Sequence, residues 1–325
     1  MTDTQNEVFK TPVNKIRLFE HGAPGSQNLK LTRKYYTEDM PDGRVKHIVQ
    51  NITDPDIVPY IPDGIGNSTD RQRIPAVLII PGGAFRRLVY NFEGEDVAKW
   101  LNSMGIAAFV LECRLPSDEH DNAEDVPLID AMRAMRVIRG RAQEFGIDEA
   151  KIGVMGFSAG GFMAALLSTA YESDVYADYK YKDEYDKLSA RPDFAVCSYP
   201  VISIDDCIEA GKRYMSEEQV LERISDSKAK ILHKYNPDKL VRPDMPPVFI
   251  CETDDDRTTL SENSVGFYMA ARKAGVSAEL HIFRTGGHGY GCGDDFAQTG
   301  EWKVLFTSWI KSIGIISLDG YGIRG

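Results

Sequence analysis

From Pro75 onward, short apolar runs alternate with longer stretches whose apolar residues recur every third or fourth position. The runs Ala76 to Ile80, Ala107 to Glu112, Ile152 to Met155, Phe194 to Tyr199, Pro247 to Cys251 and Ala278 to Phe283 have the length and apolar content of buried strands. The periodic stretches Glu93 to Met104, Pro127 to Phe145, Gly160 to Tyr171, Leu260 to Ala274 and Trp302 to Ile313 predict helices. In the second of these Ala131, Ala134, Met135 and Ile138 share a face, and Gly146 stops the pattern. Such alternation is the signature of a mostly parallel sheet flanked by helices. Ahead of it, Leu29 to Tyr36 and Val45 to Ile52, separated by Pro41-Asp42-Gly43, predict a meander entering the sheet edge, and Val58 to Arg73 a loop. Residues 1–27 form a turn-rich lead-in, so the expected organisation is that segment followed by a single domain over 28–325. Residues 172–246 break the rhythm, holding one strand among tyrosines, charges and short helical pieces such as Glu217 to Ile224.

Composition narrows the class. A chain of 325 residues with 42% hydrophobic and 27% charged residues describes one large globular domain with ample core. Its net charge of −11 argues against nucleic-acid and anionic-membrane partners, which select clustered Lys and Arg. Five scattered cysteines form neither a disulfide framework nor a zinc spacing, and Cys113, Cys197 and Cys251 fall in strand-like runs as buried thiols. The polar start of the chain and the lack of any apolar run near ~18 residues show neither a signal peptide nor an anchor. A cytoplasmic location is therefore expected, with the sequons at Asn51 and Asn67 as chance matches.

The chemistry gathers at Val154-Met155-Gly156-Phe157-Ser158-Ala159-Gly160-Gly161, where an apolar run enters Gly-x-Ser-x-Gly and a run of helix formers follows. This strand-turn-helix lifts a strained serine above the sheet, and the helix beginning at Ala159 aims its N–H groups at any oxyanion formed there. A serine hydroxyl needs a histidine to accept its proton and a carboxylate to fix the histidine tautomer. In the order Ser…Asp…His, the run Pro247 to Cys251 is followed by Glu252-Thr253-Asp254-Asp255-Asp256, and Ala278 to Phe283 by Arg284-Thr285-Gly286-Gly287-His288-Gly289. His288, in a glycine-rich loop after the last strand, is the base; His21, His47, His120, His233 and His281 lack that placement. Pro81-Gly82-Gly83-Ala84-Phe85 follows the first strand, where a backbone without side chains can approach a carbonyl oxygen. Gly83 and Ala159 are the expected oxyanion donors, with Gly82 beside them.

These motifs together resemble bacterial α/β-hydrolase esterases related to acetyl xylan and feruloyl esterases, within the esterase/lipase group. The resemblance runs from Arg17 to Ile313 and rests on Pro81 to Phe85, Glu93-Gly94-Glu95-Asp96, Gly156 to Gly161, Pro246-Pro247-Val248-Phe249, Glu262-Asn263-Ser264 and Gly286 to Gly289. It implies the α/β-hydrolase fold. From the residues themselves, 172–246 are expected as an insertion over the active-site edge, with two readings for Tyr176, Tyr179, Tyr181 and Tyr185: the lining of an acyl or sugar pocket, or the commoner tyrosine-rich surface loop. Aligned through Glu262-Asn263-Ser264, the resemblance places the catalytic carboxylate at Asp256, with Asp255 as the alternative one position earlier. It further implies a small-molecule or carbohydrate ester substrate, no metal or organic cofactor, and leaves a homo-oligomer open. Ala84 stands where many relatives carry a third glycine, and its methyl group is expected to narrow the acyl site toward acetyl. A serine peptidase or acylaminoacyl-peptidase on this fold, and a non-catalytic binding protein, are the competing functions. No propeller or large amine-recognition domain precedes the hydrolase pattern, and no member of the triad is missing.

Overall fold

The computed structural model describes residues 9, 13–64, 73–220, 229–293 and 297–316. Its strands in chain order are β1 (Ile16–Arg17), β2 (Lys34–Asp39), β3 (Val45–Gln50), β4 (Asp56–Tyr60), β5 (Ile74–Ile80), β6 (Leu88–Val89), β7 (Ala107–Glu112), β8 (Ile147–Phe157), β9 (Ala195–Ser198), β10 (Val248–Thr253) and β11 (Ala278–Phe283). Eight of them form the central sheet in the order β1-β4-β7-β5-β8-β9-β10-β11. From β7 to β11 every pairing is parallel, and β1 and β4 add an antiparallel edge. The six runs are these parallel strands; the inner ones are apolar at nearly every position because both faces are covered, while the partly exposed edge strand β11 alternates, with Glu279 and His281 in it. Val77, Leu78 and Ile79 of β5 and Val154 and Met155 of β8 have no solvent exposure. Helices Asp96–Ser103, Val126–Gly140, Ala159–Ala170, Ser261–Lys273 and Trp302–Ser312 correspond to the five periodic stretches.

Three expectations at the start of the chain need correcting. The hairpin β2–β3 does not enter the sheet edge; with β6 it makes a separate three-stranded sheet. The antiparallel strand beside β7 is instead Asp56–Tyr60, expected as loop from Val58 onward, with the two-residue β1 outside it. A proline in so short a segment masked it, yet β1 covers only Asp56 and Ile57, so Pro59 sits where one side of the strand has no partner needing an N–H. The lead-in is also packed, with Leu18, Phe19 and Ala23 buried in the core. Asn67 and the 221–224 part of the Glu217 to Ile224 helix lie outside the described residues, while 217–220 are helical.

Residues 172–246 divide. The first part lies against helix Val126–Gly140 and the lead-in: Arg133 pairs with Asp183 and Asp186, Tyr176 bonds Asp186 and Arg136, and the Tyr179 hydroxyl donates to Gly22 O. Tyr185 packs against Gly140, and Tyr181 stacks by His21. Arginines on an otherwise buried helix face drew these tyrosines there, because a buried guanidinium needs acceptors and an apolar cover. They do not line a pocket at the serine. Among the described residues the stretch at the end of β9 reaches it, where Ser158 N–H donates to Ser198 O, Val201 N–H donates to Ser158 O and Gly161 abuts Pro200. No helix among the described residues is long and apolar enough to cross a membrane, and Cys113, Cys197, Cys207, Cys251 and Cys292 are all buried and form no disulfide with one another.

Candidate active site

The carboxyl ends of β5, β8, β10 and β11 all point to one edge of the sheet, and each of the four loops that leave them carries one piece of the site. At the end of β8, Ser158 adopts φ 53 and ψ −116, a conformation that costs a non-glycine residue about 1–3 kcal/mol. What over-determines it is close packing of the turn on both sides. A Cβ on Gly156 would stand 1.9 Å from Gly160 O, and one on Gly160 would stand 1.9 Å from Ile80 O. Gly160→Ala is therefore expected to push β5 and the helix apart, with a loss of stability of about 3 kcal/mol or more and loss of activity. A thermal melt that matches wild type would contradict this packing.

His288 connects to both partners. Its Nε2 lies 2.8 Å from Ser158 Oγ and its Nδ1 lies 2.6 Å from Asp256 Oδ2. Asp256 is buried while the imidazole is partly open to solvent. Four donors hold the carboxylate: Thr258 and Thr259 N–H on Oδ1 at 2.7 and 3.0 Å, and Thr259 Oγ1 on Oδ2 at 2.9 Å beside His288. Burial alone would push the Asp256 carboxyl up, but the His288 interaction and the backbone N–H donors hold it below the usual carboxylate range. An ionised acceptor on Nδ1 fixes the tautomer with the proton there and leaves Nε2 to accept from Ser158. The neighbouring aspartates do other things. Asp255 Oδ1 accepts Gly287 N–H at 2.8 Å, bracing the histidine loop, and the Asp254 side chain is exposed. Thr258 and Thr259 were not anticipated; an aspartate two and three residues ahead of free N–H groups is the Asx-turn signal that would have flagged them.

The loop Pro81–Phe85 lies directly against the serine, since a Cβ on Gly82 would stand 2.9 Å from Ser158 Cβ. The Gly82 N–H, however, donates to Glu93 Oε2 at 2.8 Å, so Gly82 is withdrawn as an oxyanion donor. The N–H groups of Gly83 and Ala159 have no acceptor among the described residues, and Ala159 opens the helix. Beside them is a narrow cavity of about 10 Å³ walled by Phe85, Leu115, Pro127 and Met163, with Gly82, Ala159 and Gly160 at its base. Ala84 is exposed and takes no part in that wall. Ala84 and Phe85 both have positive φ, a turn that swings the methyl group outward and Phe85 inward onto Phe162. Arg114 fixes the opposite wall: fully buried, it bonds Asp130 through its N–H, Nε and Nη2, the last at 2.6 Å, and so anchors Leu115 and Pro116.

A strained serine after the strand next to a glycine loop, with a histidine and a buried aspartate arriving from later strands, is the site of an α/β-hydrolase fold. The BD-FAE family model matches residues 65–270, which span β5 through β10 and the helices between them. The chain belongs to the BD-FAE family. It is similar to an acetylxylan esterase of Xylanibacter ruminicola, 31% identical over 240 residues that cover 73% of this chain and 45% of that protein. It is equally similar to endo-1,4-beta-xylanase B of Butyrivibrio fibrisolvens, 31% identical over 227 residues, 70% of this chain and 34% of that protein. The chain thus spans less than half the length of either relative. Among solved structures, the acetyl ester-xyloside bifunctional hydrolase of Caldicellulosiruptor lactoaceticus is 37% identical and superimposes with a TM-score of 0.64, covering 81% of this chain and 90% of that one.

Proposed function

We propose that this BD-FAE member is a serine carboxylic ester hydrolase that removes short acyl groups, acetyl above all, from a carbohydrate or other alcohol. The observation that carries this is the imidazole of His288 standing 2.8 Å from Ser158 Oγ and 2.6 Å from Asp256 Oδ2. Ser158 Oγ attacks the ester carbonyl while His288 Nε2 takes its proton, and Asp256 steadies the imidazolium. The Gly83 and Ala159 N–H groups receive the carbonyl oxygen as it becomes an oxyanion. His288 returns the proton to the departing alcohol, water enters as the second nucleophile, and the acyl group leaves as a carboxylate. The names of the relatives, which speak of acetylxylan and acetyl ester-xyloside substrates, support acetyl and a sugar alcohol. A panel of acetyl, butyryl, feruloyl and peptide substrates, each run against Ser158→Ala, tests the assignment; cleavage of the peptide alone would move the protein to the peptidases.

The acyl group is small because the wall leaves little room. A cavity of about 10 Å³ lies near the lower limit for a single water, so a methyl group fits where a longer chain must displace Phe85 or turn away. Each methylene in such a pocket is worth only about 1–3 kcal/mol, so the preference is graded. The kcat/KM for p-nitrophenyl acetate is expected to exceed that for the butyrate, with octanoate poor, and Phe85→Ala should narrow the gap. Ala84→Gly should not, because the Ala84 methyl faces away. Octanoate preferred by the wild type would sink the short-acyl assignment.

A further inference from the structure

Two parts of the site that must keep register arrive from different strands: the oxyanion loop after β5 and the histidine loop after β11. We infer that Glu93, acting through Tyr199, is a positioning residue that locks these two loops to each other; this rests on the serine-hydrolase function proposed above. Glu93 lies in a one-turn π-helix, Asn91–Glu95, that follows the oxyanion loop, and its side chain is buried. One carboxylate oxygen accepts Gly82 N–H at 2.8 Å and the other accepts the Tyr199 hydroxyl at 2.9 Å. The same Tyr199 oxygen accepts Gly291 N–H at 3.1 Å, three residues past His288. The Tyr199 ring meets the His288 imidazole edge-on, with centroids 5.1 Å apart, and Tyr199 O lies 3.3 Å from the hydroxyl oxygen of Thr259, in the loop of Asp256. One tyrosine therefore touches the acid loop and the histidine loop and reaches the oxyanion loop through one carboxylate.

The position is built for this. Tyr199 has φ 37, a left-handed conformation rare for an aromatic residue, and its N–H is held by Cys251 O at 2.7 Å. Burial raises the Glu93 carboxyl pKa, opposed by nearby His288 and by the two donors. Both partners donate into Glu93, and a carboxylate accepts from both. With Glu93→Gln, the amide oxygen keeps the Gly82 N–H only by turning its NH2 to the Tyr199 oxygen, which already accepts Gly291 N–H, so the tyrosine proton loses its acceptor and the hydroxyl must reorient. Since a displacement of about 1 Å in a positioned group costs on the order of 100-fold, the whole transition-state geometry depends on this link.

The test is kcat per titrated active site for Glu93→Gln and Tyr199→Phe, with the sites counted by the p-nitrophenolate burst from diethyl p-nitrophenyl phosphate. Both variants are expected to lose roughly 10- to 100-fold in kcat with little change in KM, and to be phosphorylated more slowly, because the phosphoryl oxygen uses the same donors. A residue that only supports the fold lowers the melting temperature or the titratable fraction and leaves each titrated site at full speed. Wild-type kcat per titrated site in either folded variant, whatever happens to KM or stability, overturns the inference. Ser158→Ala, run in parallel, separates this failure from failure of the esterase assignment: an inactive Ser158→Ala beside a fully active Glu93→Gln removes the brace alone.

Discussion

Ser158→Ala is expected to lower ester turnover by roughly 10³- to 10⁶-fold while leaving the fold intact. The large effect follows from the chemistry. On the proposed mechanism no acyl-enzyme forms without Oγ, and the proposed donors Gly83 and Ala159 and base His288 are left to act on a weakly held water. The small structural effect follows from packing. The strained backbone at residue 158 is fixed by Gly156, Gly160 and the β5 loop, none of which depends on the hydroxyl. Among the described residues the hydroxyl bonds His288, itself partly open to solvent and able to bond water in its place. The change in stability should stay within about 0.5–1 kcal/mol. Steady-state hydrolysis of p-nitrophenyl acetate together with a thermal melt reads both quantities. Turnover retained by a clean, folded variant would put the chemistry elsewhere in the molecule.

Asp256→Asn should cost about 10⁴-fold, far more than Asp255→Asn, and the hydrogen bonds give the reason. Two backbone N–H groups, from Thr258 and Thr259, bind Asp256 Oδ1, so the one oxygen of an asparagine is drawn to that place. Its NH2 then occupies the Oδ2 position, facing His288 Nδ1. Two donors cannot share a bond, and the imidazole escapes by moving its proton to Nε2, where it blocks acceptance from Ser158. Among the described residues Asp255 accepts the Gly287 N–H alone and is exposed, and an asparagine oxygen serves there as well, so that variant should remain within about tenfold of wild type. Asp254→Asn should matter least. If Asp255→Asn proves the more damaging, the carboxylate that serves His288 is one position earlier than its burial and bonding indicate.

The inner parallel strands were legible in the sequence because a strand covered on both faces is apolar at nearly every position, a constraint local to each segment, while the edge strand β11, with Glu279 and His281, showed through its β-type alternation. The elbow was legible for a similar reason: a serine at φ 53 between crowded backbones admits only glycine two positions either side. Both are local requirements. What failed to show was everything set by a distant partner. Asp56–Tyr60 is a strand because β7 pairs with it, and Tyr176, Tyr179 and Tyr185 turned from the site to satisfy arginines and lead-in carbonyls. Phe85 rather than Ala84 walls the cavity beside Ala159 because of two consecutive positive φ values, which no periodicity records.

The sequence by itself determined the α/β alternation, the strained serine, and the order in which serine, acid and histidine follow their strands, since these rest on residues within a few positions of one another. The tertiary structure alone decided which of three adjacent aspartates meets His288, that Gly82 spends its N–H on Glu93, and that Tyr199 touches two loops and reaches a third through Glu93. Ser158 and His288 are 130 residues apart, and His288 and Asp256 are 32 apart. Bonds over such separations hold only when the strands carrying them are packed in register, because a side chain has about 3 Å in which to make a hydrogen bond and the sequence pattern fixes only which face it leaves from.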